Sequence, residues 1–244
     1  MAADYVGIMI GKSLHKGIRS AKTGHEALTF YEEAGKIYDM IPCYFRLQDI
    51  NTYDGTVNAY MKTGRGYARK MIPVPDVIHN RTLVKNANSS RKIRYLLNQN
   101  KKIFNLQTRY GKWHIHQLLR SDERLRPHLP DTAVLTADML SFFLQIYDAV
   151  ILKPNSGSVG RGIVKIEKIG KGWLAKYRGK KGGWNHLYFE QQFPKMIKKI
   201  CSSNAYIVQK FIPLATYQGR PFDLRVSVQK DQSGNWQVTG VNGK

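Results

Sequence analysis

Apolar and polar positions alternate with more than one period along this chain. Tyr5-Val6-Gly7-Ile8-Met9-Ile10 is a continuous apolar run of buried-strand length. From Gly24 to Tyr38 the period lengthens, and Ala27, Leu28, Tyr31 and Ala34 share one stripe of a predicted helix. Met40-Ile41-Pro42-Cys43-Tyr44-Phe45 is a second strand, whose proline suggests an edge or a strand start. Thr56–Lys62 and Tyr67–Ile72 flank Thr63-Gly64-Arg65-Gly66, a hairpin signal. Val77-Ile78-His79-Asn80 follows the Pro73 and Pro75 turn as another short strand, and Ser90–Asn98 reads as a helix with Ile93, Leu96 and Leu97 apolar. A β-α-β opening of this kind predicts an α/β layered domain.

A boundary falls around residues 100–110, where Lys101-Lys102 and Arg109-Tyr110-Gly111 surround a short apolar strand. The expected division is 1–108 and 109–244. Lys112–Leu119 reads as a helix, Arg126–Pro130 as a loop and Thr132–Leu135 as a short extended segment. Thr136 caps a helix Ala137–Tyr147 with Leu140, Phe143, Leu144 and Tyr147 at core spacing. Strands are expected over Ala149–Lys153, Ile163–Ile169 and Trp173–Arg178, then a helix over Gln191–Ile200. Strands Ala205–Lys210 and Phe222–Gln229 follow, and the turn Asp231-Gln232-Ser233-Gly234 leads into Trp236–Thr239.

Composition narrows the class. Of 244 residues, 42% are apolar, too many for a disordered chain. No apolar run approaches the ~18 residues of a membrane span. The opening Met1-Ala2-Ala3-Asp4 lacks the basic region and apolar core of a secretory leader. Cys43 and Cys201 lack metal-type spacing and are expected as buried free thiols in a reducing compartment. His114 and His116 stand two apart on a helix, hence on different faces, which makes a poor metal pair. Trp113 and Trp184 read as packing residues.

Charge is the second strong feature. The net charge of +22, from 39 Lys and Arg against 17 Asp and Glu, attracts polyanions. Its densest run is Lys168, Lys171, Lys176, Arg178, Lys180 and Lys181, which is either a solvated hairpin face or a polyanion-binding surface. No zinc-finger spacing and no aromatic RNA-binding motif accompanies it.

The candidate chemistry centres on Ile151-Leu152-Lys153-Pro154-Asn155-Ser156-Gly157-Ser158-Val159-Gly160-Arg161-Gly162-Ile163. Glycines allow positive φ and let several N–H groups converge on an anion. A lysine ends the preceding strand. The same pattern also describes an ordinary hairpin. It fits neither Gly-x-x-x-x-Gly-Lys-Ser/Thr nor Gly-x-Gly-x-x-Gly, because its order is Gly-x-x-Gly-x-Gly and a strand follows. If it holds phosphate, it does so as a flap of two antiparallel strands.

Further motifs stand in a set order around this loop: Lys112 opening a helix, then Lys153 and the glycines, then Gln209-Lys210-Phe211-Ile212-Pro213, then Asp223-Leu224-Arg225. Together they resemble the ATP-grasp superfamily, and in detail its endospore coat-associated YheC/YheD-like branch. The motifs span about residues 105–230, over half the chain. The resemblance implies an α/β (α+β) ATP-grasp fold with an N-terminal pre-ATP-grasp domain over 1–108. The ATP-grasp domain would cover 109–244, with a flap subdomain at about 149–210 and an incomplete C-terminal subdomain over 211–244.

It further implies ATP as cofactor, with Lys112 and Lys153 on the phosphates and Lys153 also reaching the adenine. Gly157, Ser158, Val159, Gly160, Arg161 and Gly162 would cover the β- and γ-phosphates. Gln209, Phe211 and Ile212 would form the hinge that receives adenine; many family members carry an acid where Gln209 stands. Arg225 would contact phosphate or an acyl-phosphate intermediate, oriented by Asp223. Relatives of this kind are ATP-dependent carboxylate–amine or carboxylate–thiol ligases and spore coat proteins, so a carboxylate or amine substrate, coat proteins as partners, and a cytoplasmic place associated with the spore coat are implied. Mg²⁺ is implied too, but its acidic ligands lie downstream of the Asp-x-Arg strand in the family. After Glu190 this chain has only Asp223 and Asp231, so no metal ligand is assigned and ligase activity stays open. The alternative is a non-catalytic basic coat protein that binds nucleic acid or another anionic polymer.

Overall fold

A computed structural model describes residues 4–20, 22–24, 26–84, 86–179, 182–203 and 205–243. Lys180 and Lys181 of the basic run, His25 of the first expected helix, and Met1-Ala2-Ala3 lie outside the described residues. The chain divides into two units, Met1–Tyr110 and Gly111–Lys244. No helix among the described residues is long and apolar enough to cross a membrane.

The first unit runs β1 (Tyr5–Met9), α1 (Lys12–Gly17), α2 (Leu28–Ile37), β2 (Ile41–Phe45), β3 (Ile50–Asn51), β4 (Thr56–Thr63), β5 (Gly66–Pro73), β6 (Val77–Asn80), α3 (Ala87–Asn98) and β7 (Lys102–Phe104). Its sheet has the order β3-β4-β2-β1-β6-β7, with β5 paired to β4. β1 pairs in parallel with β2 and β6, and β6 in parallel with β7. A parallel centre buried on both faces reads as unbroken apolar runs, which is why β1 shows no alternation. Its residues nevertheless divide by parity. Ile8 and Ile10 join Leu28 and Tyr44 in one core, while Met9 joins Cys43, Phe45, Ile78, Ile93 and Leu96 in the other.

Pro42 lies at a strand start but not at an edge, since β2 has β1 on one side and β4 on the other. The buried stripe of α2 is also rotated from the expected one. Ala27 and Ala34 are exposed, and Leu28, Glu32 and Gly35 are buried. Glu32 can face inward because Tyr44 Oη donates to its Oε1 at 2.7 Å. A buried carboxylate with a hydrogen-bond donor is tolerated where a bare one is not.

The second unit runs α4 (Lys112–Ser121), β8 (Thr132–Val134), α5 (Ala137–Ile146), β9 (Ala149–Pro154), β10 (Val164–Ile169), β11 (Gly172–Arg178), β12 (Trp184–Phe189), α6 (Lys195–Cys201) and β13 (Tyr206–Lys210). These strands form an antiparallel sheet of order β12-β11-β10-β9-β13-β8. Leu140, Phe143 and Leu144 of α5 and Ile197 and Cys201 of α6 pack on Val150, Leu152, Val164, Ile166 and Val208. Thr136 caps α5 as expected, its Oγ1 accepting from Met139 N at 3.1 Å. α6 starts at Lys195 rather than at residue 191, because Pro194 occupies its N-cap with an extended ψ of 153°. β12 was not expected from the sequence. Cys43 and Cys201 are buried free thiols.

The chain continues through the short pair β14 (Thr216–Tyr217) and β15 (Arg220–Pro221) and the hairpin β16 (Leu224–Lys230) and β17 (Trp236–Gly243). Its turn is closed by Asp231 Oδ1, which accepts from Ser233 N at 2.8 Å and Asn235 N at 3.0 Å.

Candidate functional site

Strand alternation in the second unit decides where the chemistry collects. Val150 and Leu152 of β9, Val164 and Ile166 of β10 and Val208 of β13 enter the core. Their neighbours Lys153, Lys165, Glu167 and Gln209 therefore stand on the opposite face of the sheet. Register brings two of them together. Ile207 pairs with Lys153 and Gln209 with Ile151, so Lys153 and Gln209 are diagonal neighbours. Lys153 Nζ donates to Gln209 Oε1 at 2.6 Å. Burial lowers the Lys153 ammonium from its ordinary pKa, and the charge of Lys112 lowers it further.

Lys112 reaches this place because α4 is fastened to the end of β9. The N-cap Gly111 has no side chain to satisfy the first helical donors. Asn155 replaces it from a distant position: its carbonyl accepts from Lys112 N at 2.9 Å, and its Oδ1 accepts from Trp113 N at 2.9 Å. Asn155 N in turn donates to Ala205 O at 2.7 Å, which fixes the clamp to the start of β13. A Cβ on Gly111 would lie 2.9 Å from Asn155 Oδ1, so a side chain there would push the Asn155 amide out of the clamp. The helix thus delivers Lys112 Nζ to Pro154 O at 2.7 Å and Gly157 O at 3.3 Å. The ammonium holds the entry of the glycine loop.

The loop itself leaves the sheet. Gly157, Gly160 and Gly162 have φ of 151°, 66° and 75°, and Val159 has φ 59°. Residues 156–162 are exposed. A Cβ on Gly162 would lie 2.9 Å from Pro154 Cγ and 3.0 Å from Tyr206 Oη, so here sterics and φ both demand glycine.

The hinge is tied to the sheet edge. Gln209 Nε2 donates to Thr132 Oγ1 at 2.8 Å, and Thr132 Oγ1 donates to Pro130 O at 2.8 Å. Lys210 N donates to Asp131 O at 2.9 Å and Phe211 N to Ala149 O at 3.0 Å. Ile212 is half exposed, and among the described residues its N–H has no backbone partner. Lys165 Nζ lies 4.3 Å from the Phe211 ring centroid, a cation–π contact. Glu167 accepts from Lys165 at 2.6 Å and pairs with Lys176 at 2.5 Å. Those hydrogen bonds, Lys165 first, hold its carboxyl below the usual range. A cavity of about 410 Å³ opens beside Lys210, Phe211, Ile212 and Pro213.

The structure thus gathers Lys112, Lys153 and the loop Gly157–Gly162 around the end of β9 and brings Gln209 to Lys153, while Phe211 and Ile212 lie beside Ala149 at the start of that strand. It does not gather Asp223 and Arg225 with them through any hydrogen bond or ion pair among the described residues. Both are exposed, Asp223 precedes β16 rather than sharing its face with Arg225, and no ion pair joins the two. The expected orientation of Arg225 by Asp223 is therefore not formed. Among the described residues no three His, Cys, Asp or Glu side chains gather as a metal site. His114 is exposed and His116 is buried against Trp113, with ring centroids 5.6 Å apart. Asn155, Thr132, Lys165 and Glu167 belong to the site but carry no motif. Only Asn155 stood inside the glycine phrase, and nothing in its neighbourhood marked it as a helix clamp.

Residues 100–244, more than half of the chain, match the family model for YheC/D-like ATP-grasp. The chain is 25% identical over 222 residues to the endospore coat-associated protein YheD of Bacillus subtilis, covering 88% of this chain and 48% of that protein. It is 25% identical over 173 residues to the endospore coat-associated protein YheC of the same organism, covering 68% of this chain and 47% of that one. It spans about half the length of each of these curated relatives. Among solved structures, a RimK-domain ATP-grasp protein from Sphaerobacter thermophilus aligns with 97% of this chain and 90% of its own at a TM-score of 0.43 and 11% identity.

Proposed function

The chain belongs to the YheC/D-like ATP-grasp family, and from that premise we propose that its second unit binds ATP or ADP along β9, phosphates toward its end and adenine toward its start. The observation that carries this reading is the convergence of Lys112 and Lys153 on one strand end. Burial lowers the Lys153 pKa there, and repulsion from the like charge of Lys112 lowers it further. A polyphosphate lying between them relieves that repulsion and offers each ammonium a charge-assisted partner. The loop Gly157–Gly162 closes over the β- and γ-phosphates with its backbone N–H groups. The adenine enters beside Phe211, where the Ile212 N–H and the Lys153 ammonium meet its polar edge. Family resemblance assigns Arg225 to the transferred phosphoryl or acyl-phosphate group.

The wider activity follows the same resemblance. ATP-grasp ligases activate a carboxylate by phosphoryl transfer and then pass it to an amine or thiol. The described residues do not supply a divalent-cation site of their own, since Asp231 is consumed by its turn and Asp223 stands alone. Association with a spore coat, as in the proteins YheD and YheC, and a cytoplasmic site of action complete the proposal. The net charge of +22 favours a second reading, in which the chain is a basic coat protein that holds an anionic polymer.

Titration calorimetry with ATP, with and without Mg²⁺, tests the first reading. Saturable binding that Lys153→Ala abolishes supports it, and no binding at millimolar ATP overturns it. DNA or polyphosphate binding that persists at saturating ATP supports the second reading, whereas competition places the polymer in the nucleotide site. A salt titration separates the two by slope.

A further inference from the structure

A second cavity of the same unit, about 510 Å³, lies between α4 and α5. Its walls are built from two i, i+4 pairs, the spacing that puts side chains on one helix stripe. α4 contributes His116 and Arg120, and α5 contributes Phe142 and Ile146. The segment between α4 and β8 adds Arg126, Leu129 and Pro130 to the lining. Arg126 Nε fixes that segment by donating to Arg120 O at 2.8 Å.

The lining is amphipathic in an ordered way. Phe142 and Ile146 are about half exposed at 52% and 49%, although each is a large apolar side chain. Facing them are two guanidinium groups. Arg126 reaches Glu123 only at 3.5 Å, with both side chains well exposed. Among the described residues no ion pair or hydrogen bond engages the Arg120 guanidinium. The one acid of the lining, Asp131, is taken by the Tyr147 hydroxyl, which donates to its Oδ2. His116 lies buried at the back against Trp113. Cationic donors on one wall and apolar rings on the other match a molecule with an anionic head and a flat apolar body.

We propose that this cavity is a binding site for a small aromatic anion, its carboxylate or phosphate on Arg120 and Arg126 and its ring against Phe142 and Ile146. The cavity adjoins the proposed nucleotide position, since Leu129, Pro130 and Asp131 line both it and the hinge cavity and its Thr132 accepts from Gln209. The groups assigned to the anion are different ones: Arg120, Arg126, Phe142 and Ile146 belong to neither the glycine loop nor the hinge. The inference does not depend on nucleotide binding.

Phenyl phosphate and benzoate are the probes, titrated into the full chain by calorimetry, with Trp113 fluorescence as a second readout. Saturable binding is expected, unaffected by ATP and by Lys153→Ala. Arg120→Ala should weaken it about tenfold or more, the scale of a lost hydrogen bond to a charged group. Phe142→Ala should weaken phenyl phosphate but not inorganic phosphate. Arg124→Ala, which removes an exposed guanidinium paired to Asp122, should change nothing. Both Arg120 and Phe142 are exposed, so thermal melts are expected to show that these variants fold. Absence of saturable binding in a folded wild-type chain, equal affinity for inorganic and phenyl phosphate, or displacement by ATP would each overturn the proposal.

Discussion

Lys153 and Gln209 meet across the two adjacent strands β9 and β13, the ammonium donating to the amide oxygen at 2.6 Å. A neutral partner satisfies the hydrogen bond but leaves the buried charge uncompensated, and the Lys153 pKa is lowered accordingly. A lowered lysine pKa means that the unfolded chain holds the proton more tightly. Stability therefore rises as pH climbs from the folded pKa toward the unfolded one. Gln209→Glu should raise the Lys153 pKa, flatten that alkaline rise, and stabilise the chain near neutral pH by about 1 kcal/mol, discounted for partial exposure. Urea denaturation from pH 7 to 11 checks it, and an unchanged pH profile would count against the pairing.

Asn155 carries the helix that carries Lys112. Asn155→Ala removes the acceptor for Trp113 N while leaving the backbone contact to Lys112 N. Loss of such a cap costs about 1 kcal/mol. It should also weaken ATP binding more than its stability cost explains, because Lys112 loses its fixed approach to the loop. Comparing calorimetric affinity with the melting shift separates the two effects.

Two loop positions should respond with opposite signs. Gly162→Ala meets Pro154 and the Tyr206 hydroxyl at a φ of 75°, so the flap must shift and stability should fall by about 1–3 kcal/mol. Val159 is a β-branched residue at φ 59° with 87% of its surface exposed. Val159→Gly relieves a left-handed strain of roughly 1–2 kcal/mol and loses almost no packing. Part of that gain returns to the freer unfolded chain, so a small net stabilisation is expected. Parallel denaturation curves of the two variants read both signs.

How far the sequence showed this differs between elements. β9, the glycine loop and β13 were legible because Ala149–Leu152 and Tyr206–Val208 are short apolar runs of strand length and glycines mark the turn. The stripe of α2 was not, since it depends on Glu32 being buried, which only the Tyr44 hydroxyl permits. β12 escaped because Trp184, Asn185, His186 and Tyr188 are all exposed, so no apolar period marks a strand held by pairing with β11. α6 is shorter than the polar and apolar pattern over residues 191–200 suggests, because Pro194 stands at its N-cap. Lys112, Lys153 and Gln209 could be named from motif order, but Asn155 and Thr132 act through contacts with Trp113 and Gln209, far away in sequence, which no local pattern encodes.

Thr132 closes a polar relay that begins at Lys153 and passes through Gln209 to Pro130 O. Each link fixes the next: the amide can present its oxygen to Lys153 only while its Nε2 has an acceptor on β8. Thr132→Val keeps the shape of the buried side chain and removes that acceptor, leaving the Nε2 donor unpaired at a cost of about 1–3 kcal/mol. The amide then turns toward water, and Lys153 loses its orientation without losing its charge. ATP affinity should fall several-fold, and Gln209→Leu should reproduce the fall without adding to it in the double variant, because both break one chain of hydrogen bonds. Additive losses in the double-mutant cycle would show that Thr132 and Gln209 act separately.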